Sequence, residues 1–177
     1  VLDVIAMGGW YTEVLSYAVG ENGKVYMQNN PIPLTQRSAD ERNERLSRLS
    51  NVENWIGAIT DIPPNSIDFT MTALNFHDVY NRSADDADIM LKDILGALKP
   101  GGILAVLDHE GNKGADNPTL HRVAFEDAVK AALNAGFVLV GTSDLLENPD
   151  DDHTLGPFDP SLERRTDRLV LKLEKPR

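Results

Sequence analysis

The sequence predicts an α/β fold: a mostly parallel sheet covered by helices on both faces. Three observations predict it. Strand-length apolar runs alternate with helical patterns along the whole chain, and glycine or proline marks many of the boundaries. The 177 residues suffice for one full core and are too few for two comfortable ones. No internal repeat, low-complexity tract or linker interrupts the pattern, which predicts one domain over residues 1–177.

The elements follow in order. Val1 to Ala6 is an apolar run read as the first strand, followed at once by Gly8 and Gly9 and a helical pattern through Ala18. Because Val1 already lies in a strand, residues that precede it in the natural chain are expected to be missing, and any export signal with them. Gly20, Asn22 and Gly23 stop the helix, and KVYMQN (24–29) is the second strand. A polar helix is expected from Ser38 to Ser50, capped by Ser38 with Glu41 three residues on. VENWIGAI (52–59) gives a weak third strand and SIDFTMTAL (66–74) a stronger fourth. A helix from Ala84 to Leu98 ends at KPGG. ILAVLDH (103–109) is the most apolar strand. A further helix from Leu120 to Ala135 would start near His121 and end at Gly136. FVLVGTSD (137–144) and DRLVLKLEK (167–175) are the last strands, separated by a polar segment, Leu145 to Thr166, long enough to suggest a functional loop.

Composition excludes several classes. There is no cysteine, so disulfides, thiolate metal sites and cysteine nucleophiles are out. No apolar stretch reaches the roughly 18 residues that a membrane span needs. The formal net charge of -11 repels phosphate backbones, so nucleic acid is not an expected partner. Arg37, Arg42, Arg45 and Arg48 alternate with Asp40, Glu41 and Glu44, which reads as a solvated helix face.

The turn in VLDVIAMGGWYTEVL is the first candidate site. Glycines between a strand and a helix let a ligand approach the backbone, and the helix start offers free N–H groups and a positive dipole end. A phosphate loop would need Lys followed by Ser or Thr, and a dinucleotide fingerprint would need three spaced glycines. Neither is present; a tight structural turn reads the same way.

Over nearly its whole length the chain resembles the S-adenosylmethionine-dependent methyltransferases of the seven-stranded Rossmann-like type. Asp3, Gly9 and Thr12 stand at the acid, third-glycine and threonine positions of their first motif, with Ile5 and Met7 at the first two glycine positions. GGWYTEVL, NFHDVY (75–80), LKPGGILAVLDH (98–109), NPDDDHT (148–154) and FDP (158–160) are similar to a bacterial branch of predicted methyltransferases. The resemblance implies a final antiparallel strand, S-adenosylmethionine as cofactor and a small-molecule acceptor. It also implies a cofactor seat at Asp3, Met7, Gly8, Gly9, Thr12, Gln28, Asn29, Ala58, Ile59, Asn75 and Phe76. A cytoplasmic location follows from cofactor supply, with export as the alternative because relatives of that branch often carry export signals.

Two departures bear on binding. The acid that normally accepts from both ribose hydroxyls is replaced by Asn29, which is expected to keep that contact in weakened form. On this reading an acid restored at position 29 tightens a degraded site. The position of the adenine-binding acid falls near Ala58, with Asp61 three residues on. A cofactor-binding protein without methyl transfer is therefore the alternative, and a nicotinamide-dependent oxidoreductase a remote one.

Ligands in such sheets sit beyond the carboxyl ends of the strands, which selects the chemistry-bearing candidates. His77 follows the fourth strand and is a candidate base, oriented by Asp78 or Asp108. Asp108 and His109 follow the fifth, and two carboxylates beside His109 are expected to raise its proton affinity. A metal held by His77, Asp108, His109 and His153 is weighed, but linear spacing does not bring the four together, and no metal is expected. Asp150, Asp151, Asp152 and His153 read as a solvated acidic loop or a lid. His121 reads as a helix-capping residue, Trp10 and Tyr11 as core or as contacts to a sulfonium, and Trp55 as core.

Overall fold

A computed structural model describes residues 1–177. Its strands are β1 (Leu2–Val4), β2 (Val25–Asn29), β3 (Val52–Ile56), β4 (Ile67–Ala73), β5 (Leu98–Gly111), β6 (Val123–Ala124), β7 (Val138–Thr142) and β8 (Arg168–Glu174). Its helices are α1 (Trp10–Val19), α2 (Gln36–Arg48), α3 (Phe76–Arg82), α4 (Ala84–Ala97), α5 (Asn117–Leu120) and α6 (Phe125–Asn134). The sheet runs β3-β2-β1-β4-β5-β8-β7, with the short β6 pairing β5. The first five strands are mutually parallel, and β8 lies antiparallel between β5 and β7. This is the predicted α/β sheet with its antiparallel closing strand. Strand order reverses between β1 and β4, the place where open α/β sheets bind ligands.

Burial explains the central strands. Leu2, Val4, Leu98, Leu104, Leu171 and Leu173 are buried in a 23-residue apolar cluster, to which α4 adds Ala87, Met90, Leu91 and Ile94 at helical spacing. No helix is long and apolar enough to cross a membrane.

Several boundaries differ from the sequence reading, each for a local reason. The first strand ends at Val4, because Ile5 turns to a left-handed backbone. The second helix starts at Gln36 and is capped by Thr35, whose hydroxyl accepts from the N–H of Ser38; Ser38 is not the cap. Arg45 and Arg48 do not merely face solvent: both pair with Glu13 of α1, which locks α2 onto it. KPGG is a bulge within β5, with Leu98 opposite Ile67 and Ile103 opposite Phe69. The single helix expected from Leu120 is two helices with β6 between them, and His121 ends the first of them in a left-handed conformation. Trp55 is half-buried, edge-on to Tyr26 at 5.7 Å between ring centroids.

The long polar segment is no free lid. Arg122 is fully buried and holds Asp151 through Nη2 to both carboxylate oxygens, at 2.9 and 2.8 Å. Its Nε donates to the Leu155 carbonyl and its Nη1 to that of Glu110. His153 bonds Asp167 through Nε2 at 2.8 Å. Asp151 is therefore a buried anchor rather than a solvated acid. Burial pushes its pKa up, but the Asp167 N–H and the Arg122 guanidinium outweigh that and hold it below the ordinary carboxylate range. Asp151→Ala leaves a buried guanidinium short of its partner and should cost about 3–5 kcal/mol, read as a lowered urea midpoint. A loss of only a few tenths would contradict this anchoring.

Candidate functional site

The loop from Ile5 to Gly9 crosses the carboxyl edge of the sheet where strand order reverses. Ile5 and Met7 both have φ of 53° and Gly9 has 83°, so left-handed backbone recurs at every second residue. For a β-branched residue such as Ile5 this is a true outlier, and each such residue costs about 1–3 kcal/mol. Side chains from other elements clamp the loop. Gln28 Oε1 accepts from the Ile5 N–H at 3.0 Å, and Asn75 Nδ2 donates to the Ile5 carbonyl at 3.1 Å. Asn29 Oδ1 accepts from the Met7 N–H at 2.8 Å while its Nδ2 donates to the Met7 carbonyl at 3.3 Å. Arg45 Nη1 donates to the Gly8 carbonyl at 3.0 Å.

This changes the part played by Asn29. Its side chain is 2% exposed and spends both amide atoms on Met7. In this structure its polar atoms face Met7 rather than an open ribose position, where the sequence reading expected them. A carboxylate could not take its place, because the clamp requires a donor as well as an acceptor.

One of the two glycines also has an explanation within the protein: Gly9 takes a φ of 83°. The contacts a Cβ would make at 2.6 Å (Gly8 with Glu41 Oε2) and 2.5 Å (Gly9 with Met27 Cε) are with flexible side-chain ends that can give way. What remains open is the very start of α1, where Gly9 offers no side-chain cap for the amides of Trp10 and Tyr11, while the Thr12 N–H is taken by Asp3. Beneath the loop, Asp3 is buried and accepts from Thr12 Oγ1 at 2.5 Å. Desolvation raises its pKa to about 7, against the pull of the Thr12 bonds.

Beside the loop lies a cleft of about 300 Å³ lined by Val4, Ile5, Gln28, Asn30, Ala58 and Ile59 on the sheet side, and by Val79, Arg82, Asp86, Ile89, Met90 and Asp93 from α3 and α4. Ile5, Gln28, Ala58 and Ile59 thus share one cleft, while Asp61 is not part of its lining. Trp10 is 61% exposed and meets Tyr11 edge-on at 4.7 Å, so it is not core. Phe76 is buried and stacks on Tyr80, 5.8 Å away.

The ends of β4 and β5 bring a second group together. Asp108 is wholly buried and accepts three bonds: from the His77 N–H at 2.7 Å, from the His109 N–H at 2.8 Å, and from His77 Nδ1 at 2.6 Å. Burial of the His77 ring opposes its protonation, yet the bonds to Asp108 and Asp78 prevail and raise its pKa to about 9. His109 goes the other way. Desolvation, then the charges of His77, Arg168 and Arg122, lower its pKa to about 3. The expected rise fails because Asp108 takes only its backbone N–H, while its Nδ1 meets the Thr166 hydroxyl at 2.6 Å. Sequence reasoning set His121 aside. The structure turns it toward Asp78, with Nδ1 3.1 Å from Oδ1. Only its left-handed backbone puts it there, and no pattern in the sequence announces that.

No protein-family model matches this sequence, and no curated protein matches it. Solved structures do. A SAM-dependent methyltransferase from Aquifex aeolicus superimposes with a TM-score of 0.70 at 20% identity, over 98% of this chain and 80% of that one. The S-adenosylmethionine-dependent methyltransferase SibL in its apo form gives 0.65 at 18%, over 99% of this chain and 50% of that one. The [4+2]-cyclase SpnF gives 0.68 at 18%, over 99% and 73%. The chain thus has the Rossmann-like fold of the S-adenosylmethionine-dependent methyltransferases, and it spans only half the length of SibL.

Two outcomes follow. Asn29→Asp removes the donor to the Met7 carbonyl and sets a carboxylate against it. It should cost about 1–3 kcal/mol and lower the melting temperature, whereas the sequence reading expected tighter binding if the site is a degraded one. Asp3 binds its proton in the folded state up to about pH 7 but in the unfolded chain only to about 3.8. Its contribution is therefore fully present below the unfolded pKa and is lost as pH rises through the folded one. Asp3→Asn should flatten the fall in unfolding free energy between pH 4 and 7, and an unchanged slope would assign that fall to other groups.

Proposed function

We propose that the protein is an S-adenosylmethionine-dependent methyltransferase acting on a small molecule. The observation that carries this reading is the clamped left-handed loop Ile5–Gly9, set at the carboxyl edge of β1 against the open start of α1 and beside the cleft. Strain in two non-glycine residues persists only where surrounding structure over-determines it, and such strain clusters at ligand sites. The fold shared with methyltransferases supports the same reading.

When bound, S-adenosylmethionine supplies a methyl group already activated on a positively charged sulfur. The residues present suit it. The uncapped amides of Trp10 and Tyr11 at the start of α1 would take its carboxylate, as helix starts take anions. Asn30, Ala58 and Ile59 give the cleft a polar and an apolar wall for the nucleoside. Asp3, Thr12, Gln28, Asn29 and Asn75 act one step back as positioning residues, and Met7, Gly8 and Gly9 form the seat itself. Phe76 fixes the start of α3 from the core. His77, oriented by Asp108 and backed by a neutral His109, faces the acceptor. Net charge argues against a nucleic-acid acceptor.

A second reading, a cofactor-binding protein with other chemistry, is favoured by the inward-turned Asn29, which leaves no carboxylate for a ribose. SpnF shows that this fold also carries a [4+2]-cyclase.

Calorimetric titration with S-adenosylmethionine and S-adenosylhomocysteine tests the proposal. Micromolar binding is expected, and Ala58→Trp, an exposed position on the cleft, should abolish it at an unchanged melting temperature. No heat from either compound would overturn the reading. Binding without methyl transfer across a broad panel of hydroxyl, amine and thiol acceptors would favour the second.

A further inference from the structure

Three side chains outside the cleft converge without any need of the fold. His77, Asp78 and His121 each aim a ligand atom at one point, and these atoms all lie within 4.8 Å of one another. Asp78 Oδ1 is 3.2 Å from His77 Nε2 and 3.1 Å from His121 Nδ1. Ligand atoms bound at about 2.1 Å to one cation stand roughly 3.0–3.4 Å apart, so both spacings suit a shared ion. The two rings meet edge-on, 5.8 Å between centroids.

The surroundings favour an ion over a simple hydrogen-bonded chain. Asp108 engages Nδ1 of His77 from behind and turns Nε2 toward Asp78, where a bound cation would take the place of the Nε2 proton. A buried carboxylate behind a histidine is the usual outer shell of a metal ligand. His121 reaches the point only through a left-handed backbone, φ 51°, at the end of α5. Such a conformation costs about 1–2 kcal/mol in a residue that is not glycine. Phe158, from the long segment held by Arg122, packs edge-on against the His121 ring at 5.5 Å and limits its swing. The far side is open: the side chains of Asp78 and His121 are 60% and 46% exposed, while that of His77 is 4% exposed.

We propose that His77 Nε2, His121 Nδ1 and the Asp78 carboxylate form a binding site for a divalent first-row transition metal, with its remaining positions open to a small-molecule oxygen. Two imidazoles and one carboxylate select ions such as Zn²⁺, Mn²⁺, Fe²⁺ or Co²⁺ over Ca²⁺ and Mg²⁺. The site stands whether or not the protein transfers methyl groups. If it does, the cation acidifies an acceptor hydroxyl bound to it, a role that rests on the reading above.

Chelator-treated protein without a histidine tag, titrated with Co²⁺ and followed by visible absorption, tests the site. One equivalent should bind with ligand-field bands, and Zn²⁺ should displace it. His121→Ala and Asp78→Ala, both exposed, should each weaken Co²⁺ binding at least tenfold with melting temperature nearly unchanged, while His153→Ala should not. Absence of stoichiometric binding, or binding indifferent to both variants, would overturn the proposal. Binding of S-adenosylhomocysteine is measured separately on the same samples, so failure of one site does not mimic failure of the other.

Discussion

The pair of hydrogen bonds between the Asn29 carboxamide and the Met7 peptide is the constraint on which the site depends. Without it, the left-handed backbone at Ile5 and Met7 would relax, and the start of α1 would lose its relation to the cleft. The same device recurs along the loop. Gln28 holds the Ile5 N–H, Asn75 the Ile5 carbonyl, and Arg45 the Gly8 carbonyl. Gln28 and Asn29 come from β2, Asn75 from the turn between β4 and α3, and Arg45 from α2, so three separate parts of the chain fix a loop that none could fix alone. Amides serve at 28, 29 and 75 because a peptide group offers both a donor and an acceptor, and a carboxylate answers only one.

The fold was legible because it rests on local signals. Alternating apolar runs and helical patterns, punctuated by glycine and proline, located seven of the eight strands; only the two-residue β6 was hidden inside a helix. That His77, Asp108 and His109 lie on one edge was legible too, since topology sends β4 and β5 there, although Asp108 and His109 are paired within β5 rather than following it. What failed to show was contact across the sequence. Nothing near Asp151 announces Arg122, 29 residues away, and nothing in NPTLHRV says that His121 turns back toward Asp78. The proton affinity of His109 was misjudged for the same reason. Adjacent carboxylates in sequence were counted as neighbours in space, while burial, the charge of His77 and two arginines decide the outcome.

Charge is distributed to match this division. The chain carries a net -11, yet the acids it buries are few and specifically answered. Asp108 receives three donors, and Asp151 receives a guanidinium and two backbone N–H groups. Asp3 has only Thr12 and is the one whose proton is retained toward neutrality. Burial without a cation suits a residue that supports a loop from below, while the charged pairs gather at the β5 end, where chemistry is assigned.

The most direct test of the account is a backbone amide shift map recorded as S-adenosylhomocysteine is added. The account predicts the largest changes at Ile5 to Thr12, Asn30, Ala58 and Ile59, with β7 and α6 silent. Shifts absent from Ile5 to Thr12, or concentrated elsewhere, would contradict it.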